Sequence, residues 1–248
     1  MRIALSTPFA SAALAALALA GSGLAQSSRP SDTFQSSAGP VKITPIMHAA
    51  VLLQAGGKNI YIDPAQGNFD GLPPADLVLI TDIHGDHMSQ ANIDKIKQPS
   101  TVVWGPKAVA GMIHVDTVIG NGETKKWGDF TIDGIAAYNL TRGPAAGQLF
   151  HDKGRGNGYV LTYGGKRFYF SGDTEGIPEV LALKNIDVAF VCMNLPYTMT
   201  PQEAAAAVKA FHPAVVYPYH YRGSDMNAFA AGLAGTGIEV RLREWYPK

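Results

Sequence analysis

Thr81-Asp82-Ile83-His84-Gly85-Asp86-His87 decides how this chain is read. Four side chains able to bind a cation, Asp82, His84, Asp86 and His87, follow directly on the apolar run Leu77-Val78-Leu79-Ile80. A short apolar run of that type reads as a buried strand. A strand that ends in imidazoles and carboxylates hands them to the loop beyond it. Nitrogen and oxygen donors at this density suit Zn, Mn or Fe. The plain alternative, a polar loop with solvated histidines, is disfavoured because matching residues recur downstream.

Those residues stand at the ends of two further strand-like segments. Residues 166–170 end in Ser171-Gly172-Asp173, and residues 214–217 lead into Pro218-Tyr219-His220. Taken singly, a Gly-Asp after a strand is an ordinary turn and a lone His is an ordinary surface residue. Their combination with the first stretch is what points to a metal centre.

The intervening chain reads as strands and helices in alternation. Residues 41–48 and 49–53 are extended, and Gly56-Gly57 turns the chain into Asn59-Ile60-Tyr61-Ile62-Asp63, which Pro64 stops. Ser89 can cap a helix to about residue 96, and Pro106 opens another. Residues 101–104, 115–119 and 130–137 are extended, and 141–158 form a Gly-rich loop that contains His151. Gly164-Gly165 between two β-rich runs predicts a hairpin. Residues 186–191 form a buried strand. Thr200-Pro201-Gln202-Glu203 combines a capping box with Pro at the first helical position and starts a helix to about residue 211. A helix over 226–233 and a strand over 238–242 complete the chain. Strands first, then helix and strand in alternation, twice over, predicts an α/β chain with two mixed sheets face to face and helices outside.

Composition narrows the function classes. Arg2 is the only charge before Arg29, and residues 12–20 are an unbroken run of Ala and Leu followed by small residues. This is the pattern of a secretory signal over residues 1–25, and the run is short for a membrane span. The expectation is export to the periplasm or the medium, without stable membrane insertion after cleavage; a retained anchor is the alternative. Cleavage removes one positive charge, leaving 19 basic and 20 acidic residues, net −1. That balance argues against nucleic acid held through phosphate contacts. Residues 26–40, rich in Ser and Pro, read as a flexible linker. Cys192 is the only cysteine, so no internal disulfide forms. It lies in an apolar strand and reads as a buried, inert thiol. Oligomeric state is not readable.

The sequence resembles the metallo-β-lactamase-fold metal-dependent hydrolases. Within them it is most similar to the branch that includes the ascorbate-phosphate lactonase-like proteins and the phosphodiesterases acting on N-acyl phosphatidylethanolamine. The resemblance covers residues 41–248. It rests on Asp82-x-His84-x-Asp86-His87, Ser171-Gly172-Asp173 and Pro218-Tyr219-His220, with Met47-His48-Ala49 and Ile62-Asp63-Pro64 resembling the opening of that branch. It implies an αβ/βα four-layer sandwich over 41–248. It also implies one or two divalent ions, Zn first, with Mn or Fe as alternatives.

Carried over by position, Asp82, His84 and His151 hold one ion, Asp86, His87 and His220 the other, and Asp173 bridges them. His48 lies at the rim, where it touches substrate or metal-bound water and joins Asp86 as a catalytic candidate. The family pattern reads His-x-His-x-Asp-His, so Asp82 is a departure. Asn139 stands where the family supplies a histidine, and His151 is the nearest substitute. The implied chemistry is hydrolysis of an ester, lactone, amide or phosphodiester in a small-molecule substrate by a metal-bound hydroxide, with Asp86 orienting water or carrying a proton. The alternative is a scaffold of the same fold that binds metal or ligand without turnover.

Overall fold

The computed structural model describes residues 29–246. The first half of this span forms one sheet: β1 (Asp32–Ser36), β2 (Gly39–Met47), β3 (Ala50–Ala55), β4 (Lys58–Ile62), β5 (Ala75–Leu79), β6 (Lys97–Gly105) and β7 (Thr117–Val118), side by side in chain order. The second half forms another: β8 (Thr124–Trp127), β9 (Phe130–Ala137), β10 (Gly156–Tyr163), β11 (Lys166–Phe170), β12 (Val188–Cys192), β13 (Val215–Tyr219) and β14 (Glu239–Val240), again in chain order. In each sheet the first four strands are antiparallel and the last four parallel.

The parallel strands explain the apolar runs. Strands covered on both faces lose the polar alternation of a half-exposed strand; β12 and β13 are buried throughout. Between the sheets, Phe190 stacks on Phe170 and Tyr217 with ring centroids 4.8 and 4.7 Å apart. On the outer face of the first sheet, α1 (Gln90–Ile96) and α2 (Lys107–Ala110) contribute Ile93, Ile96 and Val109 to a cluster with Tyr61, Val78 and Ile80. On the second, α4 (Pro201–Phe211) turns Ala204, Ala205, Ala207, Val208 and Phe211 inward and lies beside α3 (Pro178–Leu181) and α5 (Met226–Gly232). Helices outside and sheets inside give the αβ/βα sandwich.

Local chemistry sets the element ends. Ser89 caps α1 by accepting from the Asn92 N–H, and Thr200 and Glu203 form the capping box of α4. Gly164 and Gly165, at φ of +51° and +78°, make the tight turn between β10 and β11.

Two features depart from expectation. Residues 32–36 are not linker: β1 pairs with β2 along its length. Its single large apolar residue, Phe34, meets Phe168 edge-on at 6.0 Å. Asp32 accepts a forked pair of bonds from Arg243 at 2.7 and 3.0 Å and one from the Tyr217 hydroxyl at 2.8 Å. A polar edge strand anchored by ion pairs has the composition of a linker. Strand β8 and helix α3 are not forecast by the sequence pattern; each is only four residues long. The expected signal over residues 1–25 lies outside the described residues. Among the described residues, no helix is long and apolar enough to cross a membrane.

Candidate metal centre

The ends of β2, β5, β9, β11 and β13 converge on one rim of the sandwich. They deliver His48, the stretch 81–87, Asn139, Asp173 and His220 respectively. Two of these strand ends, and the end of β4 beside them, need unusual backbone. His48, Asp63 and His220 take left-handed φ of +56°, +44° and +47°. Such angles cost of order 1–3 kcal/mol each in a non-glycine residue and persist only where surroundings enforce them. Here the chain enforces them by hydrogen bonds: His220 N–H donates to the His48 carbonyl at 3.1 Å, and His48 N–H to that of Trp245 at 3.3 Å. At Gly172, φ +59°, a Cβ would lie 2.7 Å from the Asn157 carbonyl oxygen and 3.1 Å from Thr81 Cβ. That close approach lets Asp173 sit directly beneath the 81–87 loop.

His87 is held from behind. Its Nδ1 lies 2.8 Å from Asp63 Oδ2, and Asp63 also accepts from Thr81 N–H at 2.8 Å and Thr81 Oγ1 at 2.6 Å. With Nδ1–H donated to Asp63, Nε2 is the nitrogen left to face the cluster. It points at Asp173 Oδ2, 3.3 Å away. His220 Nε2 lies 3.5 Å from Asp173 Oδ1 and 3.3 Å from Asp86 Oδ2. His87, Asp173 and His220 thus present donor atoms to a common point.

A second group is Asp82, His84 and His151. His84 Nδ1 is 3.2 Å from Asp82 Oδ2, and His151 Nε2 is 3.8 Å from the same oxygen and 3.1 Å from Asp173 Oδ2. Asp173 therefore lies between the two groups. Asn139 is not a stand-in ligand. Its side-chain oxygen accepts from His151 Nδ1 at 2.6 Å and from the His151 N–H at 2.9 Å, while its Nδ2 donates to Glu175 and to the Tyr197 carbonyl. His151 thus reaches the place a strand-end histidine would fill, oriented by the residue found there. Asp82 differs from the other acids: Arg155 Nε and Nη2 donate to its two oxygens at 3.0 and 2.8 Å.

At the open side, His48 Nε2 donates to Asp86 Oδ2 at 3.0 Å, and its Nδ1 accepts from the Tyr246 hydroxyl at 2.5 Å. Tyr246 in turn accepts from the Arg222 N–H at 3.0 Å. Burial lowers the His48 imidazole to about 4, so it stands neutral as this network requires. Burial pushes the Asp86 carboxyl up, but bonds from His220 and His48 outweigh it and hold it well below the usual range. Burial likewise disfavours charge on both His87 and Asp173. Their mutual attraction, with Asp63 behind His87 and His220 beside Asp173, reverses this, so the imidazole is raised and the carboxyl lowered. Burial alone raises Asp63. The cluster thus favours a positive charge against Asp173.

Cations fit this place by a second observation. His87 Nε2, His151 Nε2 and Asp173 Oδ1 are buried and make no hydrogen bond. Buried polar atoms in a folded protein are nearly always paired, and each unpaired one calls for a reason. Imidazole nitrogens and carboxylates are the donor set of zinc and of manganese or iron. Outside this rim, His114 is exposed and pairs with Asp116 at 3.1 Å. Cys192 is buried and its thiol is pushed up to about 11 by that burial, which leaves it inert.

Residues 42–220 match the beta-lactamase superfamily domain. The chain belongs to that family. Within the superfamily it is 33% identical over 197 residues to a UPF0173 metal-dependent hydrolase of Thermococcus kodakarensis, covering 73% of this chain and 84% of the relative. The crystal structure of a candidate metal-dependent hydrolase from Parabacteroides distasonis superposes with a TM-score of 0.84 at 35% identity, over 88% of this chain and all of the other. Igni18, a metallo hydrolase of Ignicoccus hospitalis, shares the fold at 24% identity and a TM-score of 0.69, over 82% of this chain and 95% of the other. This beta-lactamase superfamily member is thus a metal-dependent hydrolase of the metallo-β-lactamase fold.

Proposed function

We propose that the chain is an exported hydrolase of small-molecule esters, lactones, amides or phosphodiesters. In this reading His87, Asp173 and His220, with Asp86, hold one divalent cation, and Asp82, His84 and His151, with Asp173, offer a place for another. Zinc suits this nitrogen-rich set best, with manganese or iron as alternatives. The observation that carries the reading is the convergence of His87 Nε2, His151 Nε2 and Asp173 Oδ1, buried and without hydrogen bonds.

A bound divalent cation supplies Lewis acidity towards a carbonyl or phosphoryl oxygen and makes water more acidic. The residues supply the rest. Asp86 is the most exposed carboxylate of the cluster, its side chain 30% accessible, and so meets incoming water and substrate. His48 fixes Asp86 by donating Nε2–H to one oxygen, and Tyr246 fixes His48. Asp86 so held orients water for attack. Asp63 and Asn139 set the tautomers of His87 and His151, which keeps Nε2 of each free to donate its lone pair.

Two measurements test this. Elemental analysis of the protein purified without chelator should find one or two divalent ions per chain. Asp86→Ala and His220→Ala should each abolish turnover across a panel of the four substrate classes; if both leave every activity intact, the hydrolytic reading is wrong. One observation favours the alternative, a binding scaffold without turnover: the guanidinium clamped on Asp82. That alternative stands if metal is bound and no class of substrate is turned over. Export is tested by the N-terminus of the protein recovered outside the cytoplasm, expected at Gln26.

A further inference from the structure

The two ligand groups are not alike in what surrounds them. Arg155 forks onto both oxygens of Asp82, and its Nη2 stands 3.4 Å from His84 Nε2. The fork is anchored in turn by the Arg155 N–H, which donates to the Asp152 carbonyl at 3.1 Å. Among the described residues no Lys or Arg forms an ion pair with Asp63, Asp86 or Asp173. The supports differ too. His87 is backed by the carboxylate of Asp63, whereas His151 is backed by the neutral amide oxygen of Asn139.

Both differences act in one direction. A carboxylate behind an imidazole raises its basicity as a ligand, and a neutral amide does so less. A guanidinium is charged at every accessible pH. Beside Asp82 it draws on the same lone pairs a cation needs and repels a second positive charge a few ångströms away. The carboxylate that replaces a histidine at position 82 thus adds no net charge to its group, because Arg155 cancels it.

We infer that Arg155 makes the Asp82–His84–His151 group the weak member of an unequal pair of cation sites, with the His87–Asp173–His220 group the tight one. This rests on reading these side chains as cation ligands. Under limiting metal, one ion occupies the tight group and Arg155 supplies the positive charge at the other.

The test is a titration of the purified, metal-stripped protein with zinc against a chromogenic chelator. The native protein should take one equivalent tightly and a second at least about tenfold more weakly, the scale on which groups behind a ligand tune affinity. Arg155→Met should strengthen the second equivalent by roughly tenfold or more, and Arg155→Lys, which keeps the charge, should leave the gap in place. His151→Ala should remove only the weaker equivalent. Two equivalents of equal affinity in the native protein would overturn the inference. So would a weaker or unchanged second equivalent in Arg155→Met, or loss of the tighter one in His151→Ala. Should Arg155→Met fail to fold, Arg155→Gln, which also removes the charge, is read in the same way. No uptake of any equivalent would instead sink the reading of these residues as ligands.

Discussion

Asp63 is not a proposed ligand itself, yet it fixes one, His87. Its carboxylate is fully buried and satisfied by three donors, two from Thr81 and one from His87. Asp63→Asn keeps the shape and removes the charge behind His87. The expected result is a fall of about 10- to 100-fold in the affinity of the tighter zinc equivalent, measured by chelator competition, with the fold retained. An unchanged affinity would mean that Asp63 only tethers Thr81. Asp82, His84, Asp86 and His87 were visible in the sequence because they crowd one loop, and Asp173 and His220 because each closes a strand. Arg155 was not, and neither were the roles of Asp63 and Asn139, since all three act only across space. Arg155 meets Asp82 from 73 residues away. Asp63 stood in a quoted motif, Ile62-Asp63-Pro64, with no partner to give it meaning. His151 was legible as a candidate ligand in a Gly-rich loop, but the contact with Asn139 that aims it is formed by folding.

At the scale of elements, β1 depends on Asp32. Burial raises this carboxyl, but bonds from Arg243 and Tyr217, and the charges of Arg243 and Arg241, prevail and lower it below its ordinary value. A lowered folded-state pKa means that the stabilisation is complete above the unfolded value of about 4 and is lost as pH falls through the folded one. Asp32→Asn should therefore cost about 1 kcal/mol at neutral pH, as a partly exposed pair does, and the gap from the native protein should close below about pH 4. Thermal unfolding of both proteins across that range reads it; a gap constant down to pH 3 would exclude the ion pair as its source. Helix α4 makes a simpler case. Thr200→Ala removes the side-chain acceptor of the Glu203 N–H and should cost about 1 kcal/mol in urea unfolding. The capping box was readable because it is local, four adjacent residues with a defined partner. Strand β1 was not, because its reasons lie in Phe168, Tyr217 and Arg243, far along the chain.

For the whole molecule, the alternation of strand and helix forecast two sheets, and the structure adds that each half of the chain builds one of them with the same order. The proposed ligands are shared out between the halves: Asp82, His84, Asp86 and His87 come from the first, His151, Asp173 and His220 from the second. A cation bound by both groups ties one sheet to the other. Because it binds the folded form, its removal should lower Tm, and excess zinc at about 100 times Kd should add roughly 2.7 kcal/mol to stability. A Tm indifferent to chelator and to added zinc would mean that no cation spans the sheets.

That division of labour has a practical side. The turn between β7 and β8 separates two fragments, neither with a full set of the proposed ligands. Cut there, each piece alone should scavenge zinc poorly, and mixing them should restore tight uptake only when the sheets dock face to face. Zinc uptake would then report reassembly of the two pieces, making the fold a natural starting point for a split, metal-read complementation pair.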